Sequence, residues 1–347
     1  MVQDVIPAGH RPAERSSGHG PTVTRHGIRP WPGRGVGWAA AGVLLAAGTY
    51  WGLSNGEAAA TVRGAVAALA DAHWAVVPVL VLLVAVHFWL AAVALGGAAG
   101  QRLPPLQATM AQFTAATANR ITGGGLGTVA VNARYLAGRG VPASRALALA
   151  GMLQIGGALA DLALFAVVTP IAVGTGGGVL SAQVGEWLRG KAGPFLAVAA
   201  VAVACGAVAA WALRGRLGEW LRGPLAAGAQ LLRRPRDLAV MLVASAATTL
   251  VMGVAFALSV LAVPGTASWS RFSTLIVVYM IGAAVGGAVP GPGGLGSTEA
   301  ALVALLAATG VETAGAMSGV LIFRAVTHWA PVPIGLLTVA AVGGRGS

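Results

Sequence analysis

The stretch VPGPGGLGSTEA, residues 289–300, holds two prolines, four glycines and one acidic residue between two strongly apolar segments. Proline removes a backbone donor and glycine weakens a helix, so the stretch predicts a break in an otherwise helical region. Unwound backbone inside a bilayer is tolerated only where protein buries it or where it lines a polar cavity. The position of this break therefore decides how the surrounding chain crosses the membrane.

The composition defines the environment in which the chain folds. Hydrophobic residues make up 56% of the 347 residues and charged residues only 9%, which excludes an ordinary soluble domain. The single cysteine, Cys205, excludes an internal disulfide and a multi-cysteine metal site, and we expect no metal or other cofactor. The net charge of +12 is typical of membrane orientation signals, so no nucleic-acid partner is expected.

Apolar segments follow one another along most of the chain. Residues 1–35 combine arginines with proline, glycine and serine and predict a disordered basic tail on the cytoplasmic side. Residues 36–342 predict one membrane domain, and residues 343–347 a short tail. The segments that approach or exceed the ~20 residues needed to cross a bilayer are 36–53, 74–96, 146–172, 194–213, 238–263 and 315–342.

Two further apolar regions are interrupted by glycine-rich turns. Region 106–137 contains GGGLG at 123–127, and region 272–309 contains the opening stretch. Each region is either a broken crossing or a re-entrant hairpin that returns to its own side. If both are hairpins, most of the 22 basic residues, including the arginine-rich loop at 214–236, fall on the same side as the tail. Because cytoplasmic loops are enriched in arginine, this distribution favours hairpins and places both termini in the cytoplasm.

The hairpin interpretation makes the two halves of the chain inverted copies. Residues 36–173 and 194–342 each read as span, span, hairpin, span, and they enter the membrane from opposite sides. The predicted fold class is therefore an all-α polytopic membrane protein with about six full spans, two broken or re-entrant hairpins and an inverted repeat. Inverted repeats with helices broken near the midplane are a recurring plan of transporters.

The returning arms of the hairpins are predicted to begin at Thr128 and Ser297, just after the glycines. Their free amide groups and positive dipole ends would point into the membrane interior and form an anion site. Ser297 is the candidate N-cap of the second arm. The alternative is that the glycines only let helices pack closely. The candidate glycines are Gly125, Gly127, Gly293, Gly294 and Gly296.

Four charged residues fall inside predicted membrane segments, where an ionisable group is costly and is by default a functional candidate. Arg324 lies near the midplane, and Glu299 either pairs with it, carries a coupling proton or only favours a helix N-terminus. Arg120 stands at the tip of the first hairpin and binds substrate or pairs with Asp161. Asp161 is equally a proton relay or a counter-ion. His328 has the features of an interfacial or core residue.

Two segments of the second half resemble a known family. PGPGGLGSTEAALVALLAATGV at 290–311 and AMSGVLIFRAVTHWAPVPIGLL at 316–337 are similar to the transmembrane region of lysylphosphatidylglycerol synthases, also called the flippase-like domain. In the first half, TGGGLGTVAVNARYLAGRGV at 122–141 resembles the corresponding segment, with Arg134 where the family commonly has arginine. The other positions that the resemblance carries over are Pro292, Gly293, Gly294, Leu295, Gly296, Glu299 and Arg324.

The resemblance implies a stand-alone member that lacks the family's soluble aminoacyl transferase domain. It implies a translocase in the bacterial plasma membrane that moves an anionic or aminoacylated phospholipid, or another phosphate-bearing lipid such as a polyprenyl-phosphate sugar. A lipid synthase or glycosyltransferase is a possible partner. The alternatives are an intramembrane lipid-modifying enzyme, such as a lipid-linked glycosyltransferase, and a scaffold for a lipid synthase. An enzyme would need a carboxylate pair or an activated nucleophile, which the sequence does not place together.

Overall fold

The computed structural model describes residues 56–122, 125–174, 228–288 and 296–343. The predicted tails, the predicted spans at 36–53 and 194–213, and the turn that contains Gly293 and Gly294 lie outside these residues. Within them, all regular secondary structure is helical. The predicted all-α class is confirmed.

Ten α-helices form the described part of the chain. The first five are α1 (Gly56–Ala70), α2 (Val76–Ala99), α3 (Pro105–Thr122), α4 (Leu126–Ala137) and α5 (Ala143–Gly174). The next three are α6 (Pro235–Leu261), α7 (Phe272–Ala288), which follows a 3₁₀ turn at Trp269–Arg271, and α8 (Ser297–Ala308). The last two are α9 (Thr313–Arg324) and α10 (Pro331–Gly343), and a π-helical turn at Ala325–Trp329 joins them.

The long apolar helices agree with the predicted spans. The helices α2, α5 and α6 are long and apolar enough to cross a membrane and match the predicted spans 74–96, 146–172 and 238–263. The stretch Trp269–Gly286, which is mostly α7, also meets this criterion. The prediction of one span at 315–342 needs a correction. This region consists of two shorter helices joined by a π-helical turn rather than one regular α-helix. Helix α1, which packs against α9, was not predicted.

Both interrupted regions are hairpins whose arms run antiparallel. In the second hairpin, Gly282 of α7 lies against Leu302 of α8, and Gly286 lies against Thr298. In the first hairpin, the side-chain amide of Gln112 in α3 donates to that of Asn132 in α4 at 2.9 Å, and the tip glycine Gly127 lies against Ala118. Since later residues of one arm meet earlier residues of the other, the chain reverses at each turn and does not continue across.

The two central helices run in opposite directions. At one end of the pair, the His73 amide, just before α2, donates to the carbonyl of Ala262, just after α6, at 2.8 Å. At the other end, Gly97 of α2 lies against the backbone of Met241 in α6, where a Cβ would come within 2.7 Å of the Met241 nitrogen. Small residues allow such close helix contacts in membranes. Helix α2 and its counterpart α6 therefore have inverted orientations.

The contacts of the other helices also come in matching pairs, one in each half. Helix α2 packs on α3 as α6 packs on α7, and α4 packs on α5 as α8 packs on α9. Across the halves, α5 packs on α7, and α10 packs on α3. The pattern is unchanged when α2, α3, α4 and α5 are exchanged with α6, α7, α8 and the α9–α10 pair. Within the described helices, this arrangement agrees with the predicted inverted repeat.

Candidate functional site

The structure brings two of the predicted site residues into direct contact. Arg324 is the last residue of α9, and its Nε atom lies 2.6 Å from Oε1 of Glu299 in the first turn of α8. The two side chains are only 12% and 26% exposed. Pairing with Arg324 is one of the roles predicted for Glu299, and the structure shows this ion pair.

The start of the returning arm holds Glu299 in place. Its second carboxylate oxygen, Oε2, accepts a hydrogen bond of 2.8 Å from the backbone amide of Gly296. Gly296 is the N-cap, and its φ of 83° is the left-handed conformation that glycine adopts most easily. The prediction that Ser297 is the N-cap is wrong, because Ser297 is the first helical residue and its hydroxyl donates to the Gly286 carbonyl at 3.0 Å. Ser297 thereby ties the arms of the second hairpin together.

Replacing Ser297 with alanine is expected to lower the free energy of unfolding by about 1 kcal/mol, since the Gly286 carbonyl loses a hydrogen-bond donor inside the membrane domain. The measurement is the unfolding free energy in mixed micelles titrated with a denaturing detergent. The exposed Ser144 provides the matched control, and Ser144→Ala should change stability by less than about 0.5 kcal/mol. Equal stability of the two variants would contradict the tethering role.

A π-helical turn adds a histidine to the ion pair. The ring of Pro331 has no N–H and conflicts with a regular helix before it, and the chain there forms a wide turn in which the Ala330 amide donates to the Ala325 carbonyl. His328 in this turn accepts a hydrogen bond at Nδ1 from Nη1 of Arg324, 3.2 Å away. A guanidinium only donates, so the imidazole proton sits on Nε2. His328 is predicted as an interfacial or core residue, although its i+4 spacing from Arg324 places both on one helix face.

Arg120 reaches the same cluster from the first hairpin. It lies in the last turn of α3, and its charge interacts with the charges of Arg324 and His328. Its Nη1 atom is buried and has no hydrogen-bond partner among the described residues. Among the described residues Arg120 forms no ion pair with Asp161, and the Asp161 carboxylate accepts a hydrogen bond of 2.6 Å from the Thr249 hydroxyl.

The remaining predicted residues that the structure describes belong to the returning arm of the first hairpin. The returning arm of the first hairpin begins at Leu126, two residues before the predicted start at Thr128, because Gly125 is its N-cap with a φ of 80°. Gly127 then falls in the first helical turn and is buried against α3. Arg134 is exposed near the opposite end of α4, away from the tip.

The cluster has the charge balance of an anion site. The cluster contains two guanidinium groups, Arg120 and Arg324, and one carboxylate, Glu299, which pairs with Arg324. The neutral His328 adds no charge, so the formal charge is +1. The buried Nη1 of Arg120, which finds no acceptor among the residues that the structure describes, is costly within a membrane domain and marks a position where a ligand can supply the missing acceptor. Arginine binds the oxygens of phosphate and carboxylate groups in two-point geometry. The cluster can therefore accept a singly charged oxyanion.

The fold and this cluster define a multi-pass membrane protein whose described helices form two inverted halves, with a charged site that contains residues of two helical hairpins and of the α9–α10 region. Residues 36–335 match the family described as the lysylphosphatidylglycerol synthase TM region, so the chain belongs to this family, as the motifs predicted. The family is a membrane domain associated with lipid flippase or synthase function. No curated protein matches the chain.

Proposed function

We propose that this protein is a translocase that moves a phosphate-bearing lipid between the two leaflets of a bacterial plasma membrane, with both of its termini in the cytoplasm. The observation that supports the proposal is that Arg120 and Arg324, which come from opposite halves, interact electrostatically, while Glu299 pairs with Arg324. A phosphate headgroup is the part of a lipid that resists crossing, because its charge must leave water. Arginines held inside the membrane domain lower that cost.

In this mechanism Glu299 holds the site closed while no lipid is present. The carboxylate satisfies Nε of Arg324, and the phosphate competes for the same guanidinium while it supplies an acceptor for Nη1 of Arg120. The two hairpins then open in turn to the two leaflets, as inverted repeats allow. Glu299 and Asp161 are the candidates for carrying a coupling ion, because both are carboxylates on membrane helices. The glycines at the tips, including Gly293 and Gly294, let the headgroup approach the backbone.

The proposal is tested by leaflet exchange in proteoliposomes. The probes are fluorescent phosphatidylglycerol, lysylphosphatidylglycerol and a short polyprenyl-phosphate sugar, with a quencher added outside. We expect wild-type protein to exchange at least one probe, and Arg324→Ala to slow this exchange by roughly 10–100-fold, the range for a lost charge-assisted hydrogen bond. The exposed Arg102→Ala is the matched control and should exchange at the wild-type rate.

Two outcomes count against the translocase. If folded wild-type protein exchanges none of the probes, with or without a proton gradient across the vesicles, the activity lies elsewhere, and a lipid-modifying enzyme or a scaffold for a lipid synthase or glycosyltransferase becomes the better explanation. If Arg324→Ala exchanges lipid at the wild-type rate while remaining folded, the protein is a translocase but the arginine cluster does not bind the headgroup.

A further inference from the structure

A second polar site lies in the first half of the protein. A cavity of about 330 Å³ is bordered by α2, α3, α4, α5 and α6 and includes none of the residues of the arginine cluster. Membrane helices seldom carry so many polar groups on one surface without a purpose, because each costs free energy in an apolar medium. The polar residues that line the cavity include Gln112, Thr128, Asn132, Gln154, Asp161 and Thr248.

The chemistry of this cavity differs from that of the arginine cluster. Amides and hydroxyls offer both donors and acceptors, and Gln112 and Asn132 are already fixed by their mutual hydrogen bond of 2.9 Å. Among the described residues that line the cavity, the one charged group is Asp161, a carboxylate that accepts hydrogen bonds. The cavity therefore disfavours an anion and suits an uncharged group with several hydroxyls, each of which can donate and accept.

The inverted repeat relates the cavity to the arginine cluster. Thr128 is the third residue of α4, as Glu299 is the third residue of α8. Gln154 is the twelfth residue of α5, as Arg324 is the twelfth residue of α9. Both residues contact the start of the returning arm of their own half, Gln154 at the N-cap Gly125, where a Cβ would come within 2.6 Å of its Nε2 atom, and Arg324 at Glu299. The same structural position thus holds an acid and an arginine in one half and two neutral hydrogen-bonding residues in the other.

We propose that this cavity binds the uncharged, hydroxyl-rich part of the transported headgroup, such as a glycerol, inositol or sugar unit, while the arginine cluster binds the phosphate. The inference rests on the proposed translocase function and narrows its substrate class. Helix α7 packs on α5, which carries Asp161, and the ring of Tyr279 in α7 packs against Phe323, the residue before Arg324, with ring centroids 5.5 Å apart. Asp161 acts in this proposal as a hydroxyl acceptor.

The test compares two phospholipids of equal charge. Fluorescent phosphatidylinositol and phosphatidylmethanol both carry one phosphodiester, but only the first carries a polyhydroxylated headgroup. We expect wild-type protein in vesicles to exchange phosphatidylinositol faster, and Gln154→Leu to lower the ratio of the two rates roughly fivefold, the effect of one neutral hydrogen bond. Asp161→Asn should lower the ratio in the same direction. The exposed Gln101→Leu, a matched substitution outside the cavity, should keep the wild-type ratio.

The outcomes separate this inference from the proposed function. Equal exchange of the two lipids by wild-type protein, or an unchanged ratio in Gln154→Leu, would overturn the hydroxyl site and leave the translocase intact. If neither lipid is exchanged, the test is the change in the thermal stability of the protein in detergent micelles when each ligand is added. Stabilisation by phosphatidylinositol over phosphatidylmethanol that Gln154→Leu abolishes supports the site. Stabilisation by free inositol but not by phosphatidylinositol overturns it, because the ligand would then be a soluble polyol.

Discussion

Replacing Glu299 with leucine is expected to lower the free energy of unfolding by about 3 kcal/mol, the cost of leaving a buried guanidinium without its partner. The value lies at the lower end of the usual range because the Glu299 side chain keeps 26% of its surface exposed. The loss also removes the carboxylate of the cluster, so the repulsion between Arg120 and Arg324 is no longer compensated. Denaturing-detergent titration in mixed micelles measures the effect, and Glu312→Leu, an exposed acid on α9's N-cap, should cost less than about 1 kcal/mol.

A second substitution tests whether Glu299→Leu loses stability because the Arg324 charge is unpaired or because other contacts of Glu299 are lost. If the unpaired charge is the cause, Glu299→Leu combined with Arg324→Met should be more stable than Glu299→Leu alone, because apolar residues of similar volume can replace a buried ion pair at little cost. Adding Arg120→Leu to Glu299→Leu should also restore part of the stability. A double variant that is as unstable as the sum of its single variants would show that Glu299 stabilises the hairpin mainly through Gly296 rather than through Arg324.

The fold class follows from the sequence because the bilayer imposes strong rules. A helix that crosses lipid must be long and apolar, and this requirement alone locates α2, α5 and α6. The hairpins follow from glycine-rich breaks together with the distribution of arginine between loops. The short helix α1 could not be predicted in this way. Its 15 residues are too few to span a bilayer, and its alanine-rich sequence contains no apolar run of spanning length.

The site is only partly encoded in local patterns. The sequence identifies Arg324 and Glu299 as costly charges and allows their pairing, but a choice between Asp161 and Arg324 as the neighbour of Arg120 depends on how α3 and α10 pack across the halves. The contact of His328 depends on a π-helical turn, which arises from the position of Pro331 relative to the preceding helix. The equivalence of Gln154 to Arg324 also emerges only once the helix starts are known, because the returning arm begins two residues earlier than its glycines suggest.

Adding one methyl group at the hairpin tips is expected to have the largest effect on the fold. A Cβ at Gly127 would lie 2.5 Å from the backbone carbonyl carbon of Ala118 and equally near the Asn119 nitrogen. In the second hairpin, a Cβ at Gly286 would contact the Thr298 backbone. Backbone atoms cannot rotate aside as a side chain can, so the arms must separate. We expect Gly127→Ala and Gly286→Ala each to cost about 3 kcal/mol or more, at or above the upper end for overpacking.

The matched control for these substitutions lies on a helix in open surroundings. In the described part of the chain, no atom lies within 4 Å of a Cβ added at Gly151 of α5, so Gly151→Ala should leave stability unchanged or raise it by about 0.5–1 kcal/mol through helix propensity. Unfolding free energies in mixed micelles give the comparison, and cross-linking of cysteines placed at Gln112 and Asn132 reports whether the first hairpin stays closed. Should Gly127→Ala match Gly151→Ala in both measurements, the arms of the hairpin would not be in backbone contact. The tip that carries Arg120 would then be positioned by α2 and α10, which both pack on α3, rather than by the glycine packing of its own hairpin.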